Sequence, residues 1–507
     1  MPDPSAPVQP LPARPSLEKQ QKLAKQLARD VWSRQPDAVE RFTALHPAPP
    51  EPEDAKLADV QLVIARGHGF ASWADLKRKI ESLTKSPLDR WIDAVRRGDT
   101  DHVRELFDRH PELDQHVNDQ AFAFNTSAVF AAVNGQAPNL ELLDLLIEHG
   151  ADVNRKSGWT AGGFGLAENH PPEVAEALLQ RGVVEDIWVA VGLDRIERVR
   201  SLLDNDPSLV HAPGGDGKQP LHYAASPEMV NLLVDRGAGA DARDVDHGST
   251  PAQYLVNEPA VVRRLLDRGA TPDLFMAAAL GDEALARRCI DEDAACVTHR
   301  LGVAPWLTGQ GEAVIYNWTL GHALTPLDVA HERGHANVHR LILNACPTKH
   351  RFLDAARRGD LDAARELRTT TPDVMRVMTE DDHAALNRAC WWYRPNAVAA
   401  MLALGFDRHV QDHEKMTPLD RATFHGHADC LARLLDGDPD PPLDWKHQYD
   451  GTPLQTCIHG ALHGWPTGFP QDHARCAELL LDAGAALEPA WLPTGHDAID
   501  RVLRQRL

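Results

Sequence analysis

The chain has 507 residues, more than one compact hydrophobic core usually holds, so several domains or an array of small units is expected. Acidic side chains outnumber basic ones by 74 to 53, which gives a formal net charge of −21. This balance argues against nucleic-acid or anionic-membrane binding, because both need a positive surface. The acidic excess also serves solubility, and where it serves binding it favours a basic partner.

The seven cysteines all lie in the second half of the chain, and none stands in a Cys-x-x-Cys pair. This spacing does not indicate a disulfide framework and fits a reducing compartment. The beginning of the chain lacks the basic-then-apolar order of a secretion signal, and no run of about 18 apolar residues predicts a membrane span. We therefore expect a cytoplasmic protein.

Residues 1–15 are rich in proline, and we expect a disordered tail there. A helix is predicted from Ser16 to about residue 43, with an apolar residue at every fourth position over part of its length. The segment "HPAPPEP", residues 46–52, should end it.

A second helical segment follows. The sequence predicts a helix over 57–66 and another that begins at Ser72, where Asp75 completes a capping-box pattern. Together, residues 16–86 are expected to form a helical leader ahead of the rest of the chain.

The stretch "TPLDRATFHGHADCLARLL", residues 417–435, predicts a pair of short helices. Thr417 can cap the first helix, and Pro418 is tolerated at its first position because no N–H is needed there. Gly426 can adopt a positive φ and turn the chain, and a stripe of leucines follows in the second helix. Such a pair is too small to bury its own apolar face.

The same pattern recurs along the chain. Copies or parts of copies occur at residues 142–154, 219–238, 249–270, 325–343, 451–454 and 476–485. Related openers without Thr-Pro are "WIDAVRRGD" at 91, "IWVAVGLDR" at 187, "LFMAAALGD" at 274 and "FLDAARRGD" at 352. These openers divide the region into four groups, with about twelve units of roughly 33 residues between residues 88 and 489.

Thr-Pro-Leu openers, Gly-His turns and Leu-Leu-x-x-Gly-Ala closers make this region resemble the ankyrin repeat. The resemblance implies an all-α, ankyrin-repeat solenoid with an N-terminal helical cap. The full Thr-Pro-Leu-His motif is nowhere intact, because only His222 fills the histidine position. Asp328, Asp420 and Gln455 replace it elsewhere.

The segment "LVIARGHGFASWADL" within the leader resembles the helical leader that precedes ankyrin repeats in many bacterial proteins, which suggests a bacterial source. We expect the leader to cover the apolar edge of the first repeat. Residues 490–507 should form a C-terminal capping helix with Ile499, Val502 and Leu503 directed inward.

The histidine-rich turns raise the possibility of a metal site. His425 and His427 alone are weak evidence for one, because a third ligand is needed. The ankyrin resemblance implies that His427 and His335 make structural hydrogen bonds at the turn between two helices, and we adopt that interpretation.

The insertion at 457–476 contains weaker candidates for zinc ligands. These are His459, His463 and His473, together with Cys457 and Cys476. Their spacing matches no closed zinc-finger pattern, so we interpret the insertion as a loop between the two helices of the last repeat. We assign no metal and no cofactor.

Candidate partner-binding residues lie at loop tips and in the segment "CWWYRP". They are Trp391, Trp392, Tyr449, Asp246, His247, Glu414 and Lys415. Adjacent residues on a helix point about 100° apart, so of the two indoles one should lie in the core and the other on the concave surface. Exposed Trp and Tyr are favoured anchors in interfaces.

The irregular stretch 301–324 is long for a loop within a compact array, and such loops are often functional. Trp306, Tyr316 and Trp318 could line a pocket there. The alternative is a loop that packs its own aromatic side chains across the groove.

The first functional hypothesis is a cytosolic protein that binds another protein through its concave face, as a scaffold, an inhibitor or an immunity-type protein. The alternative is an enzyme, or a small-molecule or metal binder, that uses the insertions at 301–324 and 457–476. No P-loop, dinucleotide fingerprint, Gly-x-Ser-x-Gly or His-Glu-x-x-His motif occurs, so no catalytic residue is assigned.

Overall fold

The structure, a computed structural model, describes residues 10–12, 15–134, 137–307, 314–412, 414–464, 468–488, 491–492 and 494–506. The chain divides into two compact units: unit 1 comprises Met1–Thr84 and Pro347–Leu507, and unit 2 comprises Lys85–Cys346. Over the described ranges the regular structure is helical, apart from one isolated β-bridge between Phe122 and Thr126. The all-α class is therefore confirmed. No helix in these ranges is long and apolar enough to span a membrane.

The leader consists of four helices in unit 1. They are α1 (Leu17–Trp32), α2 (Pro36–Leu45), α3 (Leu57–Gly67) and α4 (Trp73–Thr84), with a 3-10 turn at Pro52–Asp54. The single helix expected from Ser16 to about residue 43 is wrong, because the chain breaks at Arg34, whose φ is 54°, and Pro36 starts a new helix. The expected disordered tail lies largely outside the described residues.

Unit 2 contains successive helix pairs. Its helices are α5 (Pro87–Arg96), α6 (Thr100–Arg109), α7 (Ala128–Val133), α8 (Leu140–Glu148), α9 (Pro172–Leu179), α10 (Ile187–Gly192), α11 (Ile196–Asn205), α12 (Pro227–Asp235), α13 (Pro251–Tyr254), α14 (Pro259–Asp267), α15 (Leu274–Leu280), α16 (Glu283–Glu292), α17 (Tyr316–Thr319), α18 (Pro326–Glu332) and α19 (Ala336–Ala345). Single 3-10 turns lie at Pro111–His116, Ala123–Asn125, Pro207–His211, Gly215–Gly217, Pro220–Tyr223 and Ala294–Thr298. In two repeats of unit 2 the first helix is reduced to a single turn: residues 166–169 in one repeat and the 3-10 turn Pro220–Tyr223 in the next. Helix α17 belongs to the insertion at 301–324.

The rest of unit 1 continues the pattern. Its helices are α20 (Thr348–Arg358), α21 (Leu361–Thr370), α22 (Glu380–His383), α23 (Ala385–Trp391), α24 (Pro395–Leu404), α25 (Pro418–Phe424), α26 (Ala428–Leu435), α27 (Pro453–His463), α28 (His473–Asp482) and α29 (Asp497–Arg504), with a 3-10 turn at Pro372–Met375. The four openers predicted from sequence lie in α5, α10, α15 and α20, each the first helix of a pair. We call the loop ahead of a first helix its finger loop.

Capping boxes explain why the Thr-Pro-Leu-His histidine can be replaced. The backbone N–H of Thr325 donates to the Asp328 carboxylate at 2.8 Å, and that of Thr417 donates to Asp420 at 2.9 Å. Where the histidine is present, the Gln219 N–H donates to Nδ1 of His222 at 3.1 Å. Aspartate and histidine therefore supply the same acceptor at the start of the first helix.

Histidines at the turn between two helices join neighbouring repeats. The His427 ring lies with Nδ1 2.7 Å from the Cys390 carbonyl oxygen, and the His335 ring lies with Nε2 3.2 Å from that of Ala279. Each ring N–H donates to a carbonyl near the end of the preceding repeat's first helix. The structural interpretation of both histidines is thus confirmed. His473 has the same role, since its Nε2 lies 3.0 Å from the Phe424 carbonyl oxygen.

The leader contacts the last helix of unit 1. The Arg504 guanidinium on α29 lies over the Trp32 indole at 3.3 Å, and Lys56 pairs with Asp497 at 2.8 Å. The sequence led us to expect that the leader would cover the first repeat; within unit 1 it covers the C-terminal helix.

We expect Gly426→Ala to destabilise the protein more than Gly437→Ala. Both glycines have positive φ, which costs about 1–2 kcal/mol for another residue, but a Cβ at 426 would also lie 2.8 Å from Nδ1 of His473. A Cβ at 437 would meet no atom within 4 Å. Urea-induced unfolding followed by fluorescence measures both variants, and equal losses would contradict the packing argument.

We also expect Asp420→Asn to remove part of the pH dependence of stability. Burial raises the pKa of Asp420 to about 6, so the folded state holds its proton while the unfolded chain loses it. Protonated Asp420 therefore contributes to the free energy of unfolding at low pH. This contribution, roughly 3 kcal/mol, is lost as the pH rises from about 4 to 6.

The readout is the difference in unfolding free energy between wild type and Asp420→Asn at pH 4 and pH 7. Asp328→Asn, at the same capping position with a half-buried carboxylate, serves as the control. A difference that stays constant with pH for Asp420→Asn would show the explanation to be wrong.

Candidate functional site

In unit 1, several predicted residues surround the buried guanidinium of Arg421 on α25. Arg421 is only 5% exposed, and its guanidinium lies 4.6 Å from the centre of the Trp391 ring. Its Nε donates to the Asp412 carboxylate at 2.7 Å, and its Nη2 donates to Glu414. A charged group that is buried in this way stays stable only with such partners.

The same cluster ties two finger loops together. The Tyr449 hydroxyl donates to the Glu414 carboxylate at 2.8 Å, and the Trp445 indole N–H donates to the Lys415 carbonyl at 3.0 Å. Tyr449 nevertheless remains 66% exposed. We call Trp391, Arg421, Asp412, Glu414 and Tyr449 the arginine cluster.

The two adjacent tryptophans have different environments. Trp391 is half-buried between the Arg421 guanidinium and the His425 ring, whose centroid is 4.8 Å away. Trp392 is 36% exposed. The 100° rotation per residue therefore leaves one indole packed in the cluster and the other at the surface.

In unit 2, Asp246 and His247 lie beside Asp216 from the preceding finger loop. One donor atom of each of the three side chains lies within 4.8 Å of the others. The His247 ring is fixed by the Tyr254 hydroxyl, 3.1 Å from Nδ1, and by the Asp244 carboxylate at 3.3 Å. Burial lowers the pKa of His247, but its hydrogen bond to Asp244 and the nearby negative charges raise it overall.

Two buried charges support this finger loop, and the sequence analysis missed both. Lys218 is 5% exposed and its ammonium donates to Asn169 at 2.9 Å, while burial lowers its pKa. The Glu168 carboxylate accepts from the Gly215 N–H at 3.0 Å and from the Tyr223 hydroxyl at 2.9 Å. For Glu168 a signal was available in the sequence. It is the charged residue of "GGFGLAEN", a degenerate copy in which a first helix would carry apolar residues.

The three aromatic residues of the insertion at 301–324 lie in different environments. Tyr316 is fully buried and its hydroxyl donates to Asp273 at 2.9 Å, and Trp306 packs against Phe275 at 4.9 Å. These two rings lie in or against the core of unit 2, and a pocket lined by the insertion stays a prediction. Trp318 differs, since it is 61% exposed and its ring lies 4.8 Å from that of His247. Residues 308–313 of this insertion lie outside the described residues.

The zinc candidates of the last repeat do not converge. His459 and His463 are exposed on α27 with ring centroids 4.7 Å apart, whereas His473 bonds the Phe424 carbonyl. Cys457 and Cys476 are buried, and the Cys457 thiol donates to the His473 carbonyl at 3.2 Å. In the described part of the chain, the three possible metal ligands that lie within 4.8 Å of one another are Asp216, Asp246 and His247.

A groove of about 790 Å³ lies elsewhere, between α24, α26 and α28 on the second helices of unit 1. Asp429, Arg433 and Asp482 are among its lining residues. It contains none of the residues predicted from sequence.

Comparison with known proteins finds a match that runs from the Asp216 finger loop through α12 to the next finger loop. The family model for the ankyrin repeat matches residues 216–245. The chain is 36% identical over 91 residues to mouse "Ankyrin repeat and SAM domain-containing protein 6", which is 17% of this chain and 10% of that protein. It is 30% identical over 132 residues to the rice "Probable E3 ubiquitin-protein ligase XBOS31", which is 26% of this chain and 27% of that protein.

Among solved structures, the human ASB11 ankyrin repeat domain aligns with a TM-score of 0.25 and 16% identity, covering 60% of this chain and 100% of that one. The matched segments span about a tenth to about a quarter of the two curated relatives.

We expect Arg421→Gln to cost about 3 kcal/mol at pH 7, because it leaves the carboxylates of Asp412 and Glu414 without their buried cation. Arg475→Gln breaks an exposed ion pair with Glu478 and should cost much less. Denaturation at pH 7 tests this, and similar losses for both variants would disprove the role of Arg421.

Proposed function

The chain is an ankyrin-repeat protein, and we propose that it binds another protein through the finger loops and first helices of its repeats. Ankyrin repeats generally mediate protein–protein interaction. The acidic net charge suits a partner with a basic surface. We further propose that it acts in the cytosol as a scaffold or an inhibitor, the immunity-type role being one form of inhibition.

The observation that supports this proposal most is the position of Tyr449. Its ring is largely exposed, yet its hydroxyl is held by Glu414, which is itself held by the buried Arg421. An exposed aromatic side chain that is already fixed loses little conformational entropy when a partner covers it. Tyrosine and tryptophan with this combination are typical interface hot spots.

Trp392 adds a second exposed aromatic ring, at the end of the helix that also carries Trp391. Lys415 and Glu414 lie between these residues in sequence, on the finger loop ahead of α25. The enzyme or small-molecule alternative receives no support from the described residues, since Tyr316 and Trp306 of the insertion are packed in the core of unit 2.

We expect Trp392→Ala combined with Tyr449→Ala to weaken partner binding about tenfold or more. The measurement is affinity capture from a native lysate of the source cells with the full chain as bait, followed by mass spectrometry. The affinity of the captured protein is then determined for wild type and variant.

Leu23→Ala is the matched control, because Leu23 is an exposed apolar residue on α1 of the leader. Tyr449→Phe separates the ring from its hydroxyl and should have an intermediate effect. Recovery of no stoichiometric protein, or of one that binds wild type and double variant equally, would overturn the proposal.

A further inference from the structure

Hydrogen bonds tie the finger loops of unit 2 to one another. The Gly158 N–H donates to the Asn125 carbonyl at 2.9 Å, and the Val245 N–H donates to that of Asp216 at 2.9 Å. The Ile315 N–H in the insertion donates to the Ser249 hydroxyl at 3.1 Å. These bonds restrain the loops around Asp216, so side chains from separate repeats keep a common geometry.

Asp216 and Asp246 lie together in this row with unused acceptor capacity. Within the described residues, neither carboxylate accepts a hydrogen bond from a side chain or from a backbone N–H. The nearest cations are Lys218, 3.9 Å from the Asp216 carboxylate, and His247, 3.6 Å from that of Asp246. The side chains of Asp216 and Asp246 are 14% and 22% exposed, so part of each remains open to solvent or to a ligand.

The basic groups nearby are already engaged by the fold. Lys218 donates to Asn169 and lies 4.4 Å from the centre of the Tyr223 ring, and Arg243 donates to the Gly248 carbonyl. Both groups are oriented by these contacts, whereas the basic side chain beside the Asp246 carboxylate is that of His247, at 3.6 Å. A cationic group of a partner would therefore complement the site.

Trp318 supplies an indole at the edge of the same site. It is largely exposed, and its ring meets the His247 ring nearly at right angles, 84° between planes. A guanidinium pairs with carboxylates through two parallel hydrogen bonds and stacks on aromatic rings, so this combination of side chains matches arginine. Cation–π contact with the indole adds to the attraction for such a group.

We propose that Asp216, Asp246, His247 and Trp318 form the binding site for an arginine side chain of a basic segment in the protein partner. This inference rests on the proposed function and specifies the chemistry of the partner. A divalent cation suits the site less well, because the Trp318 indole offers a guanidinium a ring to stack on but offers a metal ion no oxygen ligand. In addition, the His247 nitrogen near Asp246 already contacts Asp244 and Tyr254.

The test is a selection of random displayed peptides on the immobilised full chain in the presence of EDTA. It is run in parallel on wild type, on Asp216→Asn/Asp246→Asn, and on Asp444→Asn/Asp450→Asn. The last variant removes the same formal charge from an exposed finger loop of unit 1. Peptides enriched by wild type and by the unit 1 control, but not by the first variant, are synthesised with arginine or with the uncharged isostere citrulline.

We expect the enriched peptides to contain arginine, and their affinity to fall about tenfold in Asp216→Asn/Asp246→Asn and on replacement of arginine by citrulline. Trp318→Ala, at an exposed position where misfolding is not expected, should weaken binding several-fold. Peptides without arginine, equal binding to the Asp216→Asn/Asp246→Asn variant, or binding that requires a divalent metal ion would each overturn the proposal.

The two proposals fail in different ways. Partner capture that does not depend on Tyr449 and Trp392 counts against the proposed function. Peptide binding that ignores Asp216 and Asp246 counts against the arginine site alone, since unit 1 is unchanged in that variant.

Discussion

Successive repeats in this protein depend on one another through a side chain at the turn between the two helices. His335, His427 and His473 each reach a carbonyl of the preceding repeat's first helix, and Asn139 reaches the Gly98 carbonyl at 3.0 Å in the same way. No helix pair buries its apolar face alone, so this contact and the packing around it set the register of the stack. Glycine is required where the imidazole crosses the preceding turn, because a Cβ at Gly281 would lie 2.6 Å from His335.

Fixed register is what lets loops from different repeats build one site. Arg421 comes from a first helix, while its carboxylate partners come from the finger loop before it and Tyr449 from the loop after it. Asp216, Asp246 and Trp318 likewise come from two finger loops and an insertion. A change in stacking would therefore separate these groups.

Local patterns sufficed to predict the helix pairs and the four openers, because Thr-Pro caps and glycine turns act within a few residues. The role of the turn histidines was implied by the resemblance to the ankyrin repeat. Local patterns were insufficient wherever the deciding contact is distant in sequence. Tyr316 is buried where its hydroxyl donates a hydrogen bond to Asp273, 43 positions away, and Arg504 donates to the Glu53 carbonyl across 451 positions. Trp391 and Tyr449 were recognised as surface candidates, but the central Arg421 was not, since a lone arginine in a helix usually marks a solvated face.

The clusters around Arg421 and Lys218 differ in how closely the buried cation contacts the neighbouring carboxylates. Arg421 donates to both Asp412 and Glu414, so each of these carboxylates has a cationic partner within the arginine cluster, and the exposed ring of the cluster is that of Tyr449. Lys218 donates to Asn169 and lies 3.9 Å from the Asp216 carboxylate, a longer contact, while the neighbour of Asp246 is His247. Screening by salt weakens interactions with exposed charges far more than contacts with a desolvated ring. We therefore expect salt to weaken the contacts proposed for Asp216 and Asp246, and the contacts proposed for Tyr449 and Trp392 to persist at high ionic strength.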